Sequence, residues 1–147
     1  MSLKEQLTAA MKTAMKAKQS ERLGVIRMLI SAIKNKEIEK REELDDSVVI
    51  EVLSSFVKQR REAAEVYRKN DRADMAESEE RELLIAQEFL PEQLSEAEVK
   101  SLVDEVVAEL AAESMKDMGR VMKVLTEKTK GRADGRLVSD LVRNKLQ

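Results

Sequence analysis

The residues best suited to chemistry lie together near the C-terminal end of the sequence. Arg120, Lys123, Lys130, Gly131, Arg132 and Arg136 fall between Asp117 and Arg136, with Asp117, Glu127 and Asp134 as the acidic residues nearby. Three of the four glycines, Gly119, Gly131 and Gly135, share this stretch. Guanidinium and ammonium groups neutralise phosphate, and free N–H groups at a helix start add donors for an anion. The natural ligand of such a set is the phosphate backbone of RNA. Gly131 after Lys130 reads as a left-handed helix C-cap, and Asp134 reads as the cap of a final helix. Gly119 falls inside a predicted helix, where it costs about 1 kcal/mol relative to Ala. Close approach of a neighbouring helix is the expected compensation. The glycines would thus shape the turns, and the cations would use them.

Other chemistry is poorly supported. The chain has no Cys and no His, which removes thiolate nucleophiles, disulfides, the usual general base near neutral pH and the commonest metal ligand. Lys130-Gly131-Arg132 lacks the upstream glycine and following Ser/Thr of a P-loop. No Gly-x-Ser-x-Gly elbow occurs. Carboxylates are abundant but sit on polar faces, where their pKa values shift little. Aromatic residues make up 2% of the chain, too few for base-stacking platforms. The expected activity is binding without catalysis, and no metal or cofactor is called for.

The elements that must position these residues are helices. Over 147 residues, 38% are charged and 42% hydrophobic, with one Pro. Leu, Ala, Glu, Lys and Met dominate, and β-branched or aromatic runs are scarce. Leu3, Leu7, Met11 and Met15 give a first helix to about Lys18, started by Ser2 with Glu5. The basic, acid-poor stretch from Met1 to Lys18 loosely resembles an organelle transit segment; a helix docked on the domain is the expectation. Ser20 would cap a second helix with Leu23, Ile26, Ile30, Ile33 and Ile38 on one face, ending near Arg41. Asp46 would cap a third, burying Val49, Val52, Leu53, Phe56, Val57, Ala63, Ala64 and Tyr67. Asn70-Asp71 ends it and starts a fourth, which would bury Met75, Leu83, Leu84, Ala86 and Phe89. The charge run from Glu77 to Glu82 reads as a solvated face. Lys58, Arg60, Arg61 and Arg68 on the third helix read as a solvated face with intrahelical salt bridges, a second nucleic-acid surface being the alternative.

Phe89-Leu90-Pro91-Glu92-Gln93-Leu94-Ser95 combines a helix stop with a helix start and is the best domain boundary. The expected fold is all-α: a four-helix N-terminal domain over residues 1–92 and a small three-helix C-terminal bundle over residues 93–147. The last helices would run near Glu96 to Glu113, Met115 to Thr129 and Asp134 to Leu146. Net charge is −2, yet residues 114–147 carry nine cations against four carboxylates, a local surplus of five. No apolar run is long enough to span a bilayer.

Phe89-Leu90-Pro91-Glu92-Gln93-Leu94-Ser95, Asp117-Met118-Gly119-Arg120-Val121-Met122 and Lys130-Gly131-Arg132-Ala133-Asp134-Gly135-Arg136, with Lys58-Gln59-Arg60-Arg61-Glu62 and Tyr67, resemble the YqeY-like family over essentially the whole chain. The resemblance implies that the C-terminal part is similar to the tail domain of the B-type subunit of the glutamyl/aspartyl-tRNA amidotransferases, a helical module that contacts the elbow of tRNA. It implies tRNA or another structured RNA as partner, with amidotransferase subunits as further candidates, in small bacterial proteins of the cytoplasm. The residues carried over are Lys130, Gly131, Arg132 and Arg136, with Arg120 and Lys123 as neighbours. The family label, carbon–nitrogen ligase with glutamine as amido-N-donor, follows the shared tail; the carboxylate-activating cradle and the glutaminase lie elsewhere in those enzymes. The alternatives are a helical adaptor for the amidotransferase or the translation machinery, and ligase activity of the chain itself.

Overall fold

A computed structural model describes residues 1–147 as seven α-helices and one 3₁₀ turn, with no strand. The helices are α1 (Leu3–Lys16), α2 (Ser20–Lys40), α3 (Asp46–Lys69), α4 (Ala73–Gln87), α5 (Glu96–Glu109), α6 (Met118–Thr129) and α7 (Gly135–Leu146). The 3₁₀ turn, Met115–Asp117, leads into α6. The chain forms two compact units, Met1–Pro91 and Glu92–Gln147. No helix is long and apolar enough to cross a membrane.

In the N-terminal unit the apolar stripes of α1–α4 meet in an aliphatic core that includes Leu7, Ile26, Leu29, Val49, Leu53 and Phe56. Burying one such side chain is worth roughly 1.5–3 kcal/mol. Leu7 and Ala14 are fully buried, so α1 is part of this core. In the C-terminal unit Val99, Val103, Val106, Val121, Val138 and Val142 surround Leu125 and Leu146. These valines recur at three- and four-residue spacing, which keeps them on one face of each helix.

Several sequence expectations are corrected. Asp45, not Asp46, caps α3: its carboxylate accepts from the Val48 N–H at 3.0 Å. Asp46 instead accepts from the Leu3 N–H at 3.0 Å, tying the start of α1 to the start of α3. Ser20 is the first residue of α2, and the residue before it, Gln19, makes no side-chain cap. Ile38 and Leu84 are exposed at 75% and 60%, because each sits off the stripe that its helix buries. Gly119 is helical, but an added Cβ there would meet nothing within 4 Å, so no neighbouring helix approaches it. α5 stops at Glu109, four residues short of the expected end.

That early stop has a shared cause with three others. Lys18, Arg41, Asp71 and Ala111 all adopt left-handed φ values between 51° and 57°. In each case the next residue's N–H reaches back five positions, Gln19 to Ala14 at 3.0 Å, Glu42 to Glu37 at 3.2 Å, Arg72 to Tyr67 at 2.8 Å and Ala112 to Val107 at 3.0 Å. These are Schellman turns built without glycine.

The run from Glu77 to Glu82 is not simply solvated. Arg60 on α3 donates from Nε to Glu82 at 2.7 Å, lies 3.4 Å from Glu79 and stacks 4.2 Å from the centroid of Phe56. Arg68 grips Glu80 with two parallel hydrogen bonds of 2.9 and 2.8 Å. Arg81 donates to Glu21 of α2 at 3.0 Å. Arg60 and Arg68 therefore fasten α3 to α4, which spends them against the reading of α3 as a nucleic-acid surface.

Candidate nucleic-acid interface

The glycine-rich segment is fixed by its hydrogen bonds. Thr129 is buried and donates from its hydroxyl to the Leu125 carbonyl at 2.8 Å, closing α6. The Arg132 N–H donates to the Thr129 carbonyl at 2.8 Å, across Gly131, whose φ of 73° is the left-handed value expected of it. Asp134 then caps α7 by accepting from the Arg136 N–H at 3.2 Å.

The segment before α5 is stitched to this turn. The Leu94 N–H donates to the Arg132 carbonyl at 2.8 Å, Gln93 Nε2 to the Gly131 carbonyl at 2.6 Å, and Arg132 Nε to the Glu92 carbonyl at 3.1 Å. Sequence reasoning missed Gln93, although it lies in the quoted Phe89–Ser95 motif. An amide beside a helix cap is a cue for a main-chain contact.

The six predicted residues divide by environment. Arg120 and Lys123 are exposed on α6, and Lys130 is exposed at its C-terminal end. Spacings of three and seven residues put them on one outer stripe with Glu127. Arg136 is exposed in the first turn of α7. Arg120 is engaged by Asp117 at 2.9 Å, while Lys123 forms no ion pair. Arg132 is only partly exposed and lines a shallow hollow with Leu94, Ala97, Glu98, Ser101 and Glu105 of the α5 side. The structure thus brings Arg120, Lys123 and Lys130 onto one stripe and turns Arg132 toward an acidic helix. Of the backbone donors at the start of α7, expected to receive an anion, the Arg136 N–H is already given to Asp134.

Asp117 holds the other end of α6. Its carboxylate accepts from the N–H groups of Glu113 at 2.9 Å and Ser114 at 3.3 Å, and from Arg120 at 2.9 Å. The Glu113 N–H first, then Arg120 and the Ser114 N–H, hold its pKa down to about 2. Hydrogen bonds that favour the charged form cause this shift. No group of three or more acidic side chains is arranged to hold a metal ion.

The sequence is similar to that of several known proteins. The chain is 38% identical over 103 residues to the altered inheritance of mitochondria protein 41, mitochondrial, of Lachancea thermotolerans, covering 68% of this chain and 55% of that protein. It is 48% identical over 58 residues to the E-type subunit of the glutamyl-tRNA(Gln) amidotransferase of Thermococcus gammatolerans, covering 37% of this chain and 9% of that larger protein. An uncharacterized protein of Schizosaccharomyces pombe is 32% identical over 82 residues, covering 56% of this chain and 67% of its own length. The chain spans about half the length of the mitochondrial yeast relatives it matches. Those names are yeast and mitochondrial, which leaves the bacterial and cytoplasmic company implied by the resemblance without support. The model of the Yqey-like protein family matches residues 4–146, nearly the whole sequence, and the chain belongs to that family.

Proposed function

We propose that this protein is a non-catalytic accessory that binds tRNA or another structured RNA through the cations of its C-terminal unit. The observation that carries the reading is the 48% identity to one component of an enzyme named for glutamyl-tRNA(Gln). The exposed stripe of Arg120, Lys123 and Lys130, with Arg136 at the start of α7, supplies the matching chemistry. Lys and Arg there displace counterions from phosphates, and recognition is of RNA shape, since the surface has no aromatic platform. An amidotransferase component is the protein partner to test beside RNA, and the cytoplasm is the compartment in which we place the encounter.

The test is tRNA binding measured by anisotropy across a salt series. Arg132 also holds Glu92, so the cleanest variant combines Lys123→Glu, Lys130→Glu and Arg136→Glu. Binding is expected to be lost at unchanged helicity. Unchanged binding removes the C-terminal site. A protein partner that survives nuclease treatment would replace this reading with an adaptor, and glutamine-dependent amidation by the purified chain would replace it with a ligase.

A further inference from the structure

The larger reserve of unpaired cations lies in the other unit. Between Met1 and Arg41 the sequence holds ten Lys and Arg against four Glu, whereas residues 42–91 hold seven against fourteen Asp and Glu. Lys4, Arg22 and Lys36 are engaged by Glu37, Glu88 and Glu39. Lys12, Lys16, Arg27, Lys34 and Arg41 are exposed and form no salt bridge, although Lys34 also faces Glu37, which Lys4 already holds. A cation held in solvent without a partner keeps its full charge for a ligand, within about one Debye length.

These cations share a surface. On α2, Ser20, Gly24, Arg27, Ser31, Lys34 and Ile38 follow one another at alternating steps of four and three and are all exposed, with Arg41 continuing the pattern just past the helix end. That is a single helix face. Arg27 and Lys34 stand two turns apart, about 10 Å along the axis. Two hollows beside this face share Lys4 and Thr8: one reaches Lys34 and Ile30, the other reaches Lys12. The surface therefore runs from α2 onto α1. Gly24 lies on it with no atom within 4 Å of where a Cβ would stand, so no packing explains a residue that weakens the helix.

We propose that this outer face of α1–α2 is a second contact surface for the phosphate backbone of double-helical RNA. The inference rests on the RNA-binding reading above and enlarges its footprint to the N-terminal unit. A backbone ligand fits because cations alternate with small residues, leaving the helix surface low between charges. A lipid surface fits less well: Leu7 and Ala14, on the apolar side of α1, are already buried in the core, and Ile38 is the one large apolar residue on the α2 stripe.

The experiment compares five proteins on one tRNA and one RNA duplex across a salt series: wild type, the ridge variant (Lys12→Glu, Arg27→Glu, Lys34→Glu), the C-terminal variant above, Gly24→Gln, and a control pair on α3. The ridge variant is expected to lose at least tenfold in affinity and to flatten the salt dependence by about 2–3 in log–log slope, near 0.9 per lost phosphate. Gly24→Gln is expected to weaken binding while raising the unfolding temperature, which separates contact from folding. That pair, Lys58→Glu and Lys69→Glu, tests charge reversal elsewhere on the same unit and is expected to leave the slope alone. An unchanged slope in the ridge variant overturns this inference, and leaves the C-terminal reading intact if the C-terminal variant still fails to bind. Loss in the ridge variant with normal binding by the C-terminal variant supports it and overturns the C-terminal site. Absence of RNA binding by the wild type, or binding only to phosphatidylserine vesicles, overturns both.

Discussion

Charge does different work at the α3–α4 seam of the N-terminal unit and at the helix starts of the C-terminal unit. Between α3 and α4, Arg60 and Arg68 reach across the seam to Glu82 and Glu80, at 2.7 and 2.8 Å, and fasten one helix to its neighbour. In the C-terminal unit Glu98, Asp117 and Asp134 act locally: Ser95 with Glu98 boxes the start of α5, Asp117 closes the turn into α6, and Asp134 caps α7, while Asp104 reaches another helix, meeting Lys145 of α7 at 3.3 Å. Charged side chains can thus supply either helix-to-helix attachment or chain reversal. The first needs long side chains meeting at a half-buried seam, the second a short acceptor beside free backbone N–H groups.

The comparison breaks most visibly through the cores beneath. Leu125→Ala is expected to cost the C-terminal unit about 2–5 kcal/mol, a loss read by denaturant titration. Arg60→Ala is next, at about 2 kcal/mol: it removes the hydrogen bond to Glu82, uncovers Phe56 and takes away the cation 3.4 Å from a Glu79 oxygen that is buried with no hydrogen-bond partner. The same change made at Lys58, an exposed residue of α3, is expected to leave stability within about 0.5 kcal/mol. Ser95→Ala removes one side of the capping box and is expected to cost about 1 kcal/mol. Gly119→Ala is expected to raise stability by up to about 1 kcal/mol, since open space surrounds the site.

The smallest effect concerns acid. Asp117 has a folded pKa of about 2 against an ordinary 3.8, so its contribution is complete above the ordinary value. It drains away as pH falls from about 4 toward 2, when the carboxylate takes up a proton and releases its donors. Asp117→Asn is expected to flatten the pH dependence of unfolding in that window and leave it unchanged near neutrality.

Much of the fold was legible because apolar spacing is a strong signal. The core positions Leu7, Ile26, Leu53 and Leu83 were readable from three- and four-residue recurrence, and Ser95, Gly131 and Asp134 from cap chemistry. The helix ends near Lys18, Arg41 and Asn70-Asp71 were legible as well, whereas the stop before Ala111 was not. The local code expects glycine at a left-handed residue, and Ala111 takes that geometry without one, closed by the Ala112 N–H on the Val107 carbonyl. The pairing of Arg60 with Glu82 was hidden for another reason: residues 22 apart meet only once the hairpin has formed. For the interface, sequence located the cations but not their neighbours, so the turning of Arg132 toward Glu92 could not be read in advance.

The latch between Glu92–Leu94 and the turn after α6 has a consequence for how this region can change. All three of its acceptors are main-chain carbonyls, on Arg132, Gly131 and Glu92. A carbonyl is present whatever residue carries it, so the clasp imposes no identity on positions such as Lys130 or Ala133. Only the amide of Gln93 and the guanidinium of Arg132 are written into it by side chain. The outer surface of the turn is thereby left open to drift, and specificity for a new anionic partner can be gained there without unfastening the scaffold.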